Sequence, residues 1–159
     1  MLNKVTIIGS GLMGHGIALK FAQFGFGVTV FDPNGSSLDT LFDRMRKSLS
    51  QMSIPASKIK KVVSSVIKSS ELLESVQSAE LIIEAVPEKL ELKQDIFKEI
   101  ESLAPSECIF ASNTSVIPIT KIVEKMHDKR RALGTHWWNP PHLIPLVEVI
   151  RTKWTDEKN

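Results

Sequence analysis

Cysteine is almost absent from this chain. Cys108 stands alone, so neither a disulfide framework nor a cysteine zinc set can form. An excess of one charge is missing too. Twenty basic residues face 18 acidic ones, a formal net charge of +2, and the lysines are scattered. That argues against nucleic acid as a partner. No apolar run approaches the roughly 20 residues a membrane span needs, which argues against a membrane partner. The opening MLNKVTIIGSG has no basic stretch followed by an apolar one. No secretory leader is expected, and a cytoplasmic setting is the expectation. Internal repeats, low-complexity tracts, metal-ligand spacings and a serine–histidine–aspartate arrangement are all lacking. What is present is 159 residues of ordinary globular composition, 42% hydrophobic and 24% charged. That is enough for one domain with its own core.

Short β-branched runs alternate with longer segments of helical period. KVTIIG (4–9), GVTVFD (27–32), AELIIEAV (79–86), CIFASN (108–113), RALGTHWW (131–138) and LVEVIR (146–151) read as strands. Residues 12–24 place Leu12, Ile17, Phe21 and Phe24 at helical spacing and stop at Gly25. Residues 36–51 read as one helix, with Leu38, Leu41, Phe42, Met45 and Leu49 on one face. A second amphipathic helix runs over 89–103 through Leu92, Ile96, Phe97, Ile100 and Leu103, and a short one over 118–126. Residues 54–70 read as a short helix followed by an extended segment near 64–68. Strands alternating with helices in this way predict an α/β fold: a doubly wound, mostly parallel sheet with helices on both faces. Ligands in such sheets sit outside the carboxyl ends of the strands. The polar clusters singled out below all lie at, or just past, the end of a predicted strand.

The first cluster is GSGLMG, with Gly9, Gly11 and Gly14 at G-x-G-x-x-G spacing and Leu12 and Met13 between the last two. It follows a buried strand and opens a helix, the context that gives the motif meaning. Gly9 permits a tight turn, Gly11 lets the backbone approach a pyrophosphate, and Gly14 lets the helix pack on the strand. The free N–H groups at the positive helix end then hold phosphates. Asp32 ends the second strand, where a carboxylate accepts hydrogen bonds from an adenosine ribose and repels a 2′-phosphate. NAD is therefore favoured over NADP. A plain strand–turn–helix and an FAD site are the alternatives.

The second cluster is GTHWWNPPHLIPLVEVI (134–150). A glutamate inside the apolar run PLVEVI is costly to bury without a partner. His136, on the neighbouring predicted strand across a proline-rich turn, is such a partner. Histidine suits proton removal from a hydroxyl because its ordinary pKa lies near neutrality. A carboxylate on the far ring nitrogen holds its tautomer and stabilises the imidazolium. The plainer alternative is a satisfied core histidine with Glu148 facing solvent. SNTSVIPI (112–119) is a third cluster, in which Ser115 or Thr114 either meets a substrate oxygen or caps the following helix. Asn139 is a site residue or only a turn residue beside Pro140. Trp137 and Trp138 read as packing residues, His15 and His142 as incidental, and Cys108 as a buried strand residue.

Together these motifs resemble the NAD-binding domain of the 3-hydroxyacyl-CoA dehydrogenase family, over almost the whole chain. VTIIGSGLMGHGIA, ELIIEAVPEKLELKQDIF, IFASNTS and H-x-x-N-P followed by PLVEVI stand in the family's order and spacing. The resemblance implies a Rossmann-type domain over 1–159 that binds NAD. It implies oxidation of a 3-hydroxyacyl-CoA to the 3-ketoacyl-CoA, or the reverse. His136 matches the catalytic base and Glu148 the carboxylate that orients it. Ser115 and Asn139 match residues beside both the substrate hydroxyl and the nicotinamide. Gly9, Gly11, Leu12, Met13, Gly14, Asp32, Glu88 and Lys93 match cofactor contacts, and Ser48 matches a contact to CoA.

The family continues into an all-helical domain that supplies most of the dimer interface, part of the acyl-CoA site and a further catalytic asparagine. This chain stops at TKWTDEKN, where the linker would begin, so a homodimer is expected only with that domain, and cofactor binding rather than activity is what the domain alone is expected to keep. The region after Asp32 is shorter than in the acyl-CoA enzymes, and Lys58, Lys60 and Lys61 only partly replace the family's lysine cluster. NPPHLIPLVEV is closer to dehydrogenases of free hydroxy acids, such as gulonate or carnitine, while SNTS is closer to the acyl-CoA branch. A dehydrogenase of a free hydroxy acid and a non-catalytic NAD-binding module are the alternatives.

Overall fold

The run VTII is buried along nearly its whole length in Lys4–Ile8 (β1), which requires that both faces of the strand be covered. The computed structural model describes residues 2–158 and shows how this is done. The chain continues through Leu12–Gln23 (α1), Gly27–Phe31 (β2), Gly35–Asp39 (α2), Leu41–Gln51 (α3), Ala56–Ser64 (α4) and Val66–Ser69 (β3). Leu72–Val76 (α5), Leu81–Glu84 (β4), Leu90–Leu103 (α6), Ile109–Ser112 (β5), Ile119–Ile122 (α7), Ala132–Trp137 (β6) and Val147–Arg151 (β7) follow. The seven strands lie in the order β3-β2-β1-β4-β5-β6-β7. All neighbours are parallel except β6 and β7. The first six strands have the doubly wound order, whose direction reverses between β1 and β4.

Side-chain alternation splits the core in two. Ile7, Ile83, Ala111 and Leu133 enter the layer under α1, α3 and α4. Their neighbours Ile8, Ile82, Phe110 and Ala132 enter the layer with Phe97 and Ile100 of α6. Period-two alternation of wholly apolar strands is what a sheet between two helical layers demands.

Three elements differ from expectation. The helix foreseen over 36–51 is broken at Thr40. The Ser37 carbonyl, which would continue the helical ladder, accepts from the Thr40 hydroxyl at 3.3 Å and from Arg44 Nη2 at 2.8 Å, and such side-chain competition interrupts helices. The helix foreseen over 118–126 is α7 followed by a 3₁₀ turn at Val123–Lys125. The single turn of α5 was not foreseen. The extended segment near 64–68 is β3, which pairs with β2 at the sheet edge.

Candidate functional site

The glycine turn joins the end of β1 to α1 at the reversal of strand order. Gly9 has φ +100°, and a Cβ there would meet the Ala85 carbonyl oxygen at 2.8 Å. A Cβ on Gly14 would lie 1.8 Å from the Gly9 oxygen, so helix and turn touch backbone to backbone. Gly11 is different: a Cβ there would meet nothing within 4 Å. No protein contact requires glycine at that place, and the open space is what a pyrophosphate needs. The first turn of α1, which contains Leu12 and Met13, carries no acidic residue to compete for its N–H groups. Adjacent is a cleft of about 590 Å³ lined by Gly9, Gly11, Asp32, Val86, Leu92 and Ile96, among others. The residues present therefore fit a dinucleotide, with apolar walls for a base and N–H donors for phosphates.

Asp32 lines this cleft at the end of β2 and also holds the turn. Its Oδ2 accepts from the Ser10 N–H and the Ser10 hydroxyl, both at 2.8 Å, and its Oδ1 accepts from Asn34 N–H at 2.9 Å.

On the other side of the crevice, Glu84 ends β4 fully buried. Its Oε1 accepts from Lys93 Nζ at 2.6 Å and from Val86 N–H at 2.8 Å, and its Oε2 accepts from the Ser112 hydroxyl at 2.6 Å. Lys93, 1% exposed, is also 3.1 Å from Glu88 Oε2. The other oxygen of Glu88 accepts from the Thr114 hydroxyl and from the N–H groups of Ser115 (3.0 Å) and Val116 (3.3 Å). Burial pushes the Glu88 carboxyl up, but the Thr114 bond and the Lys93 ammonium outweigh it and hold the group below the usual carboxylate range. The chain of bonds Glu84–Lys93–Glu88 thus fixes the turn carrying Ser115. Thr114 is spent inside it: its hydroxyl also accepts from Ile117 N–H at 3.0 Å. Ser115 is exposed, and among the described residues its hydroxyl has no protein partner. Lys93 sits behind Glu88, with its ammonium committed to protein acceptors.

His136 and Glu148 are direct register partners on antiparallel β6 and β7, so their side chains share a face. His136 Nδ1 lies 2.6 Å from Glu148 Oε2. The bond from His136 foremost, with another from Trp138, holds the Glu148 carboxyl below its ordinary range. An ionised carboxylate only accepts, so Nδ1 carries the proton of this bond and Nε2 is the ring nitrogen left facing away from Glu148. No protein hydrogen bond reaches Nε2 among the described residues. β6 pairs with β5 up to Gly134↔Ser112 and then runs on, which places His136 beyond the end of β5. Asn113 Oδ1 accepts from Trp137 N–H at 2.9 Å and so ties the Ser115 turn to the His136 strand. Asn139 is exposed, at the start of the proline turn.

Ser48 does not line the cleft. It is buried in α3, and its hydroxyl lies 3.2 Å from His15 Nε2. His15 Nδ1 lies 3.1 Å from the Gly11 oxygen, so Nδ1 donates and Nε2 accepts from Ser48. Burial lowers the pKa of both His15 and His142. The lysines that follow lie elsewhere on the fold. Lys58 and Lys61 line a groove with Ala22, Gln23 and Phe26 at the C-terminal end of α1, whereas His15 and the glycine turn are at its N-terminal end. Trp137 packs partly on the core and Trp138 is exposed. The Cys108 thiol is pushed up to about 12, by burial above all, which suits an inert core residue.

Sequence reasoning missed four residues here. Glu84 read only as part of a strand, and Asn113 as part of a polar cluster. Arg44 read as one charge on an amphipathic helix. Gly16 was the one with a visible signal, a second glycine inside a helix (GHGIA). A Cβ there would lie 2.5 Å from Pro141 Cγ, so α1 abuts the proline turn directly.

This strand order, with a glycine turn opening α1 and an acidic residue ending β2, defines a dinucleotide-binding domain of the dehydrogenase type. Residues 4–159 match the family described as 3-hydroxyacyl-CoA dehydrogenase, NAD binding domain, and the chain belongs to it. It is 38% identical over 158 residues to the glyoxysomal fatty acid beta-oxidation multifunctional protein MFP-a of Brassica napus, covering 97% of this chain and 22% of that protein. It is 34% identical over 160 residues to the probable 3-hydroxybutyryl-CoA dehydrogenase of Bacillus subtilis, covering 99% and 56%. It superposes on the crystal structure of 3-hydroxybutyryl-CoA dehydrogenase from Escherichia coli K12 with TM-score 0.92 and 29% identity, covering 99% of this chain and 34% of that one. The chain thus spans between about a fifth and somewhat over half the length of these relatives.

Proposed function

We propose that this domain is the cofactor-binding part of an NAD-dependent dehydrogenase that interconverts a 3-hydroxyacyl-CoA and the 3-ketoacyl-CoA. The observation that carries the reading is His136, held by Glu148 through Nδ1 with Nε2 left as an unpartnered base. Bound NAD supplies the hydride acceptor, and its reduced form the donor. In oxidation, His136 Nε2 takes the hydroxyl proton, and Glu148 stabilises the resulting imidazolium. In reduction the same nitrogen gives the proton to the forming alkoxide. The unpartnered Ser115 hydroxyl and Asn139 orient the substrate oxygen beside His136. Gly11, Leu12 and Met13 offer N–H groups to the pyrophosphate, and Asp32 faces the adenosine ribose. Relatives named for 3-hydroxybutyryl-CoA and fatty acid beta-oxidation support this choice of substrate class.

A second reading keeps the chemistry but takes a free hydroxy acid. It is favoured by the placement of Ser48, which is buried against His15, and of Lys58 and Lys61, which lie at the far end of α1.

The test is oxidation of NADH with acetoacetyl-CoA or acetoacetate, using the wild type, His136→Gln and Glu148→Gln. Turnover of the thioester is expected, with a rate loss of roughly 10² to 10⁴ in His136→Gln and a smaller loss in Glu148→Gln. Preference for acetoacetate would select the second reading. Bound NADH without turnover of either compound would point to a binding module or to chemistry that needs the family's helical domain, and a His136→Gln variant as fast as wild type would remove the proposed base.

A further inference from the structure

The Ser10–Gly11 peptide is the least constrained part of the cradle. Gly11 has no side chain, so rotation of this peptide unit meets little steric resistance. Yet its N–H must face the cleft for the turn to bind an anion, and the peptide bond is planar, with N–H and C=O pointing in opposite directions. Whatever holds the Ser10 carbonyl therefore aims the Gly11 N–H.

Arg44 of α3 holds it. Arg44 Nη1 donates to the Ser10 oxygen at 2.5 Å and to the Gly11 oxygen at 3.2 Å. Nη2 donates to the Ser37 oxygen at 2.8 Å, and Nε to Thr40 Oγ1 at 3.3 Å. The Gly11 oxygen is fixed in any case, because it also accepts from the His15 N–H at 3.1 Å and from the His15 ring. The Ser10 oxygen has no second partner among the described residues. On the other side of Ser10, Asp32 holds the N–H and the hydroxyl. Arg44 and Asp32 thus grip the turn from opposite sides, one by its carbonyl and one by its amide.

We propose that Arg44 is the positioning residue of the dinucleotide cradle. It locks the Ser10–Gly11 peptide with its N–H toward the pyrophosphate and adds a fixed positive charge beneath it. A guanidinium suits the task because its planar fork reaches two backbone carbonyls at once, which an ammonium on a flexible stem does not reproduce. The break between α2 and α3 serves the same arrangement: Arg44 and Thr40 both take the Ser37 carbonyl out of the helical ladder. The proposal assumes NAD binding at Gly9–Gly14. Absence of NADH binding by the wild type would overturn that assumption, whereas equal binding by wild type and variant would overturn only the role of Arg44.

The test compares wild type, Arg44→Met and Arg44→Lys at a temperature well below their unfolding midpoints. Affinities for NADH, ADP-ribose and adenosine are measured by titration. In Arg44→Met, NADH and ADP-ribose should weaken by about tenfold or more, as expected when a charge-assisted hydrogen bond is misaimed. Adenosine, which has no phosphate, should stay within about twofold. Arg44→Lys should recover the salt dependence of binding but not the full affinity. An NADH affinity unchanged in Arg44→Met, or adenosine weakened as much as ADP-ribose, would overturn the proposal; the second outcome would mark Arg44 as a general structural residue. Should Arg44→Met fail to fold, the same comparison in Arg44→Lys decides, because Lys retains the charge and loses only the two-carbonyl grip.

Discussion

Replacing Lys93 by Met leaves a fully buried carboxylate without its cation. Lys93 Nζ lies 2.6 Å from Glu84 Oε1, and the two side chains are 1% and 0% exposed. Met keeps most of the aliphatic stem packed and removes the charge. Breaking a buried pair on one side typically costs about 3–5 kcal/mol. Glu84 keeps the Ser112 hydroxyl and the Val86 N–H, which favours the lower part of that range. Proton uptake sets a ceiling. Protonating an ordinary glutamate, with a reference pKa near 4.3, costs about 3.7 kcal/mol at pH 7 and about 1 kcal/mol at pH 5, at 1.36 kcal/mol per unit. An unpaired buried carboxylate has its folded pKa raised, so the loss of stability is full at high pH and relieved as pH falls. Urea unfolding of Lys93→Met should therefore show a loss of about 3 kcal/mol at pH 7 that shrinks to about 1 kcal/mol at pH 5. The double variant Glu84→Gln with Lys93→Met should be more stable at pH 7 than Lys93→Met alone. A loss below about 1 kcal/mol at pH 7, or one independent of pH, would show that Glu84 does not depend on Lys93.

Two further outcomes follow from the packing. Gly16→Ala should drive a methyl into Pro141, cost about 1–3 kcal/mol in unfolding experiments and lower turnover by shifting the turn beside His136; a variant as stable and active as wild type would contradict the close approach. Burial lowers the pKa of His15 and His142, so both take up protons more readily unfolded than folded. Stability should fall as pH drops below the ordinary histidine value of about 6.5. His142→Leu, which removes two buried ring nitrogens without partners, should flatten part of that decline in thermal melts between pH 7.5 and 5.5; a steeper decline would contradict the assignment.

The parts of the molecule legible in the sequence are those decided locally. β1 and β4 announce themselves by apolar runs because both faces are buried, and the turn at Gly9 by its place between strand and helix. His136 and Glu148 could be paired on paper because a proline-rich turn can fold their strands together, but the burial cost that argued for the pair does not apply: β7 is largely exposed, and the Glu148 side chain is 51% exposed. What escaped depends on distant partners. Glu84 looks like an ordinary strand end until Lys93, from the next helix, reaches it. Arg44 lies on the exposed side of an amphipathic pattern, and only the fold brings it under Ser10. The other arm of the same guanidinium, with the Thr40 hydroxyl, takes the Ser37 carbonyl and splits the helix expected over 36–51. Ser48 matched a ligand contact by position, yet its hydroxyl bonds to His15 in the interior. Lys58 and Lys61 are close to Ser48 in sequence but at the other end of α1 in space.

Gly11 separates a dinucleotide site at Gly9–Gly14 from mere turn geometry. The decisive measurement is a calorimetric titration of wild type and Gly11→Ala with NADH, alongside their unfolding midpoints. A methyl at Gly11 meets no protein atom within 4 Å, so the fold should survive while the space for the pyrophosphate is filled. The account predicts single-site NADH binding by the wild type, weakened by about tenfold or more in a Gly11→Ala variant that melts close to wild type. No binding by the wild type, or equal binding by a stably folded Gly11→Ala, would contradict it.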